Sequence, residues 1–415
     1  MRDLLWQQPA DQPIGVAKLA KLVFDGVDLT PLHSQLLDKY IFEPDNAAAL
    51  MDLSTLEQLF GNERDGVARQ GEALMRRRVF RSPIDTATPA LRLLALAAPG
   101  NIGNNIPLEF LLEGSDIALA TLYIVPGQPL PEPLPEHDLA IVAACEADGN
   151  RAVLAEIERL LPSWPKPVLN HPEQIAALAR ERLHGLVGNV PGLVMPATIR
   201  IDRTTLGEIA AGRTELAAHL PDGAFPLIAR PFDSHAGRGL QKLDDAAALT
   251  RYLAAQQERG FYISRFVDYR SPDGLFRKYR IVFIGGKPYA CHMAIADQWM
   301  IYYLNAGMGE SAAKKIEEER FMTGFDHEFA KRHRAALAGI AQRVDLDYFG
   351  IDCAQTAEGS LLLFEADIAM IVHRMDSPTI FPYKVAQMKK LFADFAAMLK
   401  DCASRPPAKR LDSVA

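Results

Sequence analysis

The chain has 415 residues, of which 49% are hydrophobic and 23% are charged, as is typical of soluble globular proteins of two to four domains. Its formal net charge of −7 argues against function through non-specific nucleic-acid binding. No apolar run approaches the roughly 20 residues that a membrane span needs, and the N-terminus has no apolar signal core. The four cysteines are scattered without a Cys-x-x-Cys pair, so we expect free thiols and a cytoplasmic location.

Residues 1–86 are predicted to be helical only. Apolar residues recur at helical spacing along 50–60, and Pro44 and Pro83 interrupt the pattern about 40 residues apart. This segment is similar to degenerate tetratricopeptide-type helical hairpins, which would present a groove to a peptide or a protein partner. The alternative is a helical cap that packs on its own chain or on a second copy, as in a homodimer.

The pattern changes after residue 86. Three apolar strands near 91–98, 117–125 and 138–144, with helices between them, predict a small parallel α/β layer over residues 87–190. The glycine-rich loop after the first of these strands is either a plain turn or a loop that touches substrate. Antiparallel hairpins and helices over residues 191–402 predict an α+β domain, and residues 403–415 are expected to be a disordered tail.

The stretch Gly350 to Asp367 is the most informative part of the sequence. Glu358-Gly359 is a turn signal between two apolar runs, which predicts a β-hairpin with Asp352 facing Glu365. Three carboxylates, those of Asp352, Glu365 and Asp367, then lie together. Oxygen ligands favour Mg²⁺ or Mn²⁺, and the alternative is a hairpin end with its acids in water.

The stretch ARPFDSHAGRG, residues 229–239, is the second informative part. A buried strand carries Arg230, and a loop with Gly237 and Gly239 follows it. Glycines allow backbone amides to approach an anion, and a guanidinium can bind two phosphate oxygens. The stretch therefore predicts a phosphate-binding loop, or else an ordinary surface hairpin.

The order of these pieces resembles the ATP-grasp superfamily, and the RimK-type amino-acid ligases look closest. The resemblance covers residues 90–400. It rests on LNHPEQIAALARERL, on FPLIARPFDSHAGRG and on the hairpin GID…LLLFEAD, whose three acids have the family's separations of 13 and 15 residues. The implied fold is α+β with two lobes, preceded by the small α/β layer.

The resemblance also implies roles for single residues. It implies metal binding by the three acids, phosphate or acyl-phosphate contact by Arg280, and a lid residue near the transferred phosphate at Asn305. Arg182 and Arg230 stand where the family usually has two lysines on the phosphates, and Lys278 stands where an acid is common. The remaining implied nucleotide contacts are His235, Gly237 and Gly239 of the loop and the hinge residues Arg265, Phe266 and Val267. Ile228 and Phe364 would lie on the two faces of adenine. The alternative for these last two is that they are plain core residues.

The activity that the resemblance implies is ATP-dependent joining of a carboxylate to an amine through an acyl phosphate, with Mg²⁺ or Mn²⁺ and release of ADP and phosphate. The substrates would be a small molecule or a peptide. Two alternatives stay open, a phosphotransferase that keeps the phosphate on its product, and a scaffold that binds nucleotide without turnover.

Overall fold

The computed structural model describes residues 9–83, 88–232, 234 and 237–405. This part of the chain forms two units. The first comprises the described residues up to Glu173 together with Leu346–Tyr348 and the C-terminal part from Ile368, and the second comprises Gln174–Asp345 and Phe349–Asp367. Helices and antiparallel strands are mixed along the chain, so the predicted α+β class is confirmed.

The first unit begins with four helices, of which the third has a side-chain cap at its start. The side chain of Asn46 accepts a hydrogen bond from the amide of Ala49 at 3.0 Å and begins the third helix. Leucines of the first three helices form one core, which includes Leu19, Leu36 and Leu53, while Leu50 and Leu74 belong to a second core. The helices are α1 Val16–Phe24, α2 Thr30–Phe42, α3 Ala47–Leu59 and α4 Glu63–Arg76.

A five-stranded sheet of order β1-β3-β2-β4-β5 follows in the same unit. Strands β2 to β5 pair in parallel, which confirms the predicted parallel layer, and β1 pairs antiparallel with β3. The elements are β1 Val79–Arg81, β2 Leu91–Ala97, α5 Leu108–Leu111, β3 Ile117–Tyr123, β4 Leu139–Val142, α6 Arg151–Leu160, β5 Val168–Leu169 and the C-terminal helix α14 Pro382–Ser404.

One expectation for the N-terminal segment needs correction. Val79–Arg81 was predicted to be helical but is strand β1, because its pairing with β3 outweighs local helix propensity. The tetratricopeptide-type groove is not confirmed. Side chains of α3 and α4 instead bind the glycine-rich loop of their own unit, since Gln70 Oε1 accepts from the amide of Gly100 at 2.6 Å and Gln58 Oε1 from that of Ile102 at 2.8 Å. These contacts fit packing on the same chain.

The second unit contains two sheets. The antiparallel sheet β7-β10-β8-β9 covers a core with helices α9 and α10 on one face. In the sheet β12-β11-β13-β14-β6, β11 pairs antiparallel with β12, β13 pairs antiparallel with β14, and β14 pairs in parallel with β6. The elements are α7 Pro172–Ala176, α8 Arg180–Val187, β6 Leu193–Val194, β7 Thr198–Asp202, α9 Arg203–Ala210, β8 Leu227–Pro231, β9 Gln241–Leu243, α10 Ala246–Ala255, β10 Gly260–Arg265, β11 Phe276–Ile284, β12 Lys287–Ala296, α11 Ala312–Thr323, α12 Phe329–Arg332, α13 Arg334–Val344, β13 Tyr348–Gln355 and β14 Leu361–Asp367.

Residues 172–187 do not form one continuous helix. Ala179 has an extended backbone (φ −50°, ψ 135°), so α8 starts afresh at Arg180 after α7 has ended at Ala176. The break sets which side chains of α8 face the sheet. Over the part of the chain that the structure describes, no helix is long and apolar enough to cross a membrane.

Candidate functional site

The candidate site is built on neighbouring strands of the second unit. Asp352 of β13 is the direct partner of Glu365 of β14, as predicted from the hairpin. Lys278 and Arg280 lie two residues apart on β11, the strand on the other side of β13, and so share one face of the sheet. Acidic and basic side chains from three adjacent strands therefore form one row.

Asp352 is held by two cations. Its Oδ1 accepts a hydrogen bond from Arg280 Nε at 2.8 Å, and its Oδ2 accepts from Arg280 Nη2 at 3.0 Å. Lys278 Nζ lies 2.7 Å from the same Oδ2. The side chain of Asp352 is only 1% exposed. Burial alone would raise the pKa of Asp352, but the charges of Arg280 and Lys278 outweigh burial and hold this pKa well below its usual value.

Glu365 has a cationic partner of its own. Arg180 Nη2, from the first turn of α8, lies 2.5 Å from Glu365 Oε2. Burial, the largest single cause, raises the pKa of Glu365, but the charges of Arg180, Lys278 and Arg230 together outweigh it, so the net shift of this pKa is downward. Asp367 adds to the attraction on Arg180 and helps to keep the pKa of that guanidinium raised against its burial.

Arg230 approaches the same charges from the other sheet. Its Nε donates to Ser234 Oγ at 3.1 Å, and its Nη2 donates to the Ser234 carbonyl. Burial, followed by the nearby charge of Arg180, lowers the pKa of Arg230 to about 10, while Glu365 opposes this shift. Four cations, Arg180, Arg230, Lys278 and Arg280, thus act on three carboxylates. We call this set of seven side chains the charged cluster.

Tyr302 adds a hydroxyl beside the charged cluster. Burial raises its pKa, and Lys278 and Arg230 partly offset that rise. Gly237 has φ +69°, and a Cβ added there would meet the Tyr302 hydroxyl at 1.3 Å. Only glycine fits this position without displacing Tyr302. Both the positive φ and the nearby Tyr302 hydroxyl therefore require glycine at Gly237. Gly239 likewise has a positive φ of +68°.

The structure separates some predicted site residues from the charged cluster. Arg182 is exposed on α8, because residues two apart on a helix do not share a face, and Arg180 takes its expected place. Asn305 is exposed in the short 3-10 turn Tyr303–Asn305. His235 lies outside the described residues.

The predicted adenine contacts have protein partners of their own. The amide of Phe266, one of the predicted hinge residues, donates to the Pro226 carbonyl at 2.9 Å. This backbone N–H is therefore already hydrogen-bonded within the protein. Arg265 pairs with Asp222 at 3.1 Å. Phe364 packs edge-to-face on Tyr269 with 5.1 Å between ring centroids. Ile228 shares the open face of β8 with Arg230, and Val267 is half-buried just beyond β10.

Two carboxylates of the charged cluster, Asp352 and Glu365, are already engaged by cations of the protein. Carboxylate oxygens suit Mg²⁺ in kind, but both oxygens of Asp352 are already bound by cations and Glu365 is bound by Arg180. Within the described ranges, no group of three or more His, Cys, Asp or Glu side chains is arranged to hold a metal ion. The residues as arranged do not fit the predicted metal site, because internal ion pairs take its place.

A separate cavity of about 460 Å³ lies on the other face of β11. Arg277 and Tyr279 line it and alternate along the strand with Lys278 and Arg280, which face the charged cluster. Arg277 is already paired with Glu317 and Asp273. This cavity is therefore distinct from the charged cluster.

Sequence reasoning missed Arg180, Lys278 as a partner of Asp352, and Tyr302. The helix break before Arg180 has no strong sequence signal, since Ala177–Ala179 are not helix-breaking residues. Lys278 has a signal, because it lies two residues from Arg280 on a predicted strand and must share its face. Tyr302 lies in a segment without regular structure, where the spacing of residues does not predict the direction of a side chain.

No family model matches the chain, and none of the curated proteins matches it in sequence. Solved structures to which it is similar include a RimK domain ATP-grasp protein from Sphaerobacter thermophilus, with 15% identity and a TM-score of 0.40 over 74% of this chain and 99% of that one. The VanG D-Ala:D-Ser ligase from Enterococcus faecalis has 12% identity and a TM-score of 0.46 over 74% and 98%. The D-alanine–D-alanine ligase from Coxiella burnetii has 10% identity and a TM-score of 0.46 over 75% and 96%.

One of these structures is an ATP-grasp protein and two are ligases. At such identities and TM-scores they do not define what this chain binds or which reaction it catalyses.

Proposed function

We propose that the chain is an ATP-dependent ligase of the ATP-grasp type, which joins a carboxylate to an amine. The observation that carries this proposal is the convergence of four cations on one partly buried site of the second unit, beside a loop with Gly237 and Gly239 in positive φ. A polyphosphate is the ligand class that such a surplus of positive charge recognises best.

The chemistry of the proposed reaction is addition and displacement. A substrate carboxylate oxygen forms a bond to the γ-phosphorus of ATP, and the bond from that phosphorus to the β–γ bridging oxygen breaks, which releases ADP. The amine nitrogen then forms a bond to the acyl carbon, phosphate leaves, and the amine loses a proton.

The residues of this chain would act by charge and position. Arg230 and Arg180 would bind phosphate oxygens, since guanidinium groups donate two hydrogen bonds in a fixed geometry. Arg280 is held at a fixed place by Asp352 and so is oriented before any ligand binds. Such positioning requires no covalent residue of the protein.

The experiment is a screen for ADP release over amino acids and short peptides, with ATP and the full chain. We expect ADP and phosphate to rise together for at least one pair of carboxylate and amine. An Arg230→Ala variant should show at least about tenfold less of that release when ATP is limiting. ADP formed without free phosphate would indicate a phosphotransferase instead.

A second candidate function is nucleotide binding without turnover. The observation that favours it is the pairing of Asp352 with Lys278 and Arg280, because this carboxylate is occupied before any ligand arrives. ATP binding without ADP release over the whole panel would support this second function.

A further inference from the structure

The surroundings of Asp352 restrict what else can bind this carboxylate. A metal ion needs a free oxygen lone pair directed at open space. Arg280 occupies Oδ1 through Nε and reaches Oδ2 through Nη2, while Lys278 Nζ lies against Oδ2 at 2.7 Å. A divalent ion at either oxygen would have two positive groups within contact distance.

Displacing Lys278 would not free the site at low cost. Its side chain is 23% exposed and that of Arg280 is 18% exposed, so both charges lie in an environment where an unpaired ion is unfavourable. The ammonium of lysine is a compact point charge, which is the feature that a small metal ion also offers to a carboxylate. Lys278 therefore already supplies what a cation would supply at Asp352.

The balance of positive and negative groups in the charged cluster also favours binding without a metal ion. In the charged cluster, four cations face three carboxylates, so the cluster attracts a polyanion without help. An acid in place of Lys278 would leave three cations against four carboxylates, and a polyphosphate would then need an added cation to approach. The identity of residue 278 thus determines whether the cluster needs metal.

We propose that the ammonium group of Lys278 takes the place of a divalent cation at Asp352, so that this chain binds nucleoside polyphosphates without divalent metal. The proposal rests on the nucleotide site of the proposed function and adds a metal-independent mode of binding to it.

The first test is calorimetric titration of ATP into the full chain, once with excess EDTA and once with Mg²⁺. We expect the two dissociation constants to agree within about threefold. A threefold change in a dissociation constant corresponds to less free energy than one hydrogen bond typically contributes. Binding that requires Mg²⁺ would overturn the inference and leave the nucleotide site intact. A failure to bind under both conditions would contradict the proposed function itself.

The second test reverses the charge. Lys278→Glu should weaken ATP binding in EDTA by about tenfold or more, and Mg²⁺ should restore a substantial part of it. Lys287→Glu is the matched control, since Lys287 is exposed at the start of β12, and its binding should not change. Equal ATP affinity of Lys278→Glu and the parent chain in EDTA would contradict the role of Lys278.

Electron paramagnetic resonance of Mn²⁺ provides a readout that does not require the variant to fold. Added to the unmodified chain at a concentration below that of the protein, Mn²⁺ should keep the signal of the free ion. A broadened signal that Mg²⁺ reverses would show a metal site and would overturn the inference.

Discussion

Asp352 and Glu365 are direct partners across the β13–β14 hairpin, and one unpaired residue brings them opposite each other. The pairs nearest the turn, Gln355 with Leu361 and Cys353 with Leu363, would place Phe364 opposite Asp352 if the ladder continued unbroken. Phe364 instead bulges out, and Glu365 takes its place. Two like charges are then adjacent, and the cations on either side of them compensate.

The first prediction concerns stability. Asp352→Asn removes the buried negative charge that contacts both Lys278 and Arg280, so the free energy of unfolding at pH 7 should fall by about 3 kcal/mol or more. Denaturant unfolding measures this difference. The control is Asp268→Asn, because Asp268 is an exposed aspartate in the same unit. Its free energy of unfolding should stay within about 0.5 kcal/mol of that of the parent chain.

The pH dependence of that loss has a definite sign. The pKa of folded Asp352 lies well below the ordinary aspartate value of about 3.9, so its ionised form stabilises the fold above about pH 4. This contribution is lost as pH falls through the lowered pKa. The difference between parent and Asp352→Asn should therefore be largest near neutral pH and shrink on acidification, and a constant difference down to pH 2 would contradict the ion pairing.

The second prediction separates two arginines on one helix. Arg180→Ala should weaken ATP binding by about tenfold or more, since it removes a cation of the charged cluster. Arg182→Ala should leave the ATP dissociation constant within about twofold, because Arg182 is exposed. Titration of ATP into both variants measures the contrast, and the reverse order would favour the assignment made from the sequence.

The third prediction concerns Arg230. Arg230→Ala should weaken ATP binding by about 10- to 100-fold, as expected for the loss of charge-assisted hydrogen bonds. Arg213→Ala is its control, because Arg213 is exposed and pairs only locally with Glu208. Thermal unfolding of both variants should confirm that they fold, and unchanged affinity in a folded Arg230→Ala would remove this residue from the site.

The fourth prediction concerns the glycine loop. Gly237→Ala should lower ATP affinity, because alanine disfavours φ +69° and its Cβ would collide with the Tyr302 hydroxyl. Adding Tyr302→Phe removes the hydroxyl and should restore part of the loss. Gly185→Ala within α8 meets no atom within 4 Å and should leave binding unchanged. An equal loss with and without Tyr302→Phe would show that the hydroxyl is not the cause, since the ring Cζ, 2.6 Å from the added Cβ, and the backbone strain both remain.

The fifth prediction concerns the N-terminal helices. Gln70→Ala removes the acceptor of the Gly100 amide from a buried position and should lower the free energy of unfolding by about 1–3 kcal/mol. Arg64→Ala on the exposed side of the same helix should change it by less than about 0.5 kcal/mol. Equal stability of the two variants would argue that these helices serve a partner rather than their own unit.

The regular elements were predictable because their periodicity is local. Alternation and turn residues determine the hairpin around Glu358-Gly359, and helical spacing determines α3 and α14. Tertiary pairing was not predictable in the same way. Val79–Arg81 becomes a strand only because β3 offers an edge, and the break before Arg180 depends on packing rather than on a glycine or proline.

The site residues that lie on strands were predictable, and those that lie in loops were not. Strand alternation gives Arg230, Arg280, Asp352 and Glu365. The same rule could have paired Lys278 with Asp352, but the resemblance directed attention to a missing acid at position 278 rather than to the lysine present. Tyr302 and the actual surroundings of Asn305 depend on an irregular segment, for which the sequence provides no geometry.

The most direct test of ATP-dependent ligation at the charged cluster is the ratio of the products formed. With full chain, ATP and a responsive pair of carboxylate and amine, we predict one ADP and one phosphate for each amide formed, and at least about tenfold less of all three with Arg230→Ala when ATP is limiting. Formation of AMP and diphosphate, or amide formation that Arg230→Ala leaves unchanged, would contradict the assignment of the charged cluster as the site of ATP-dependent ligation.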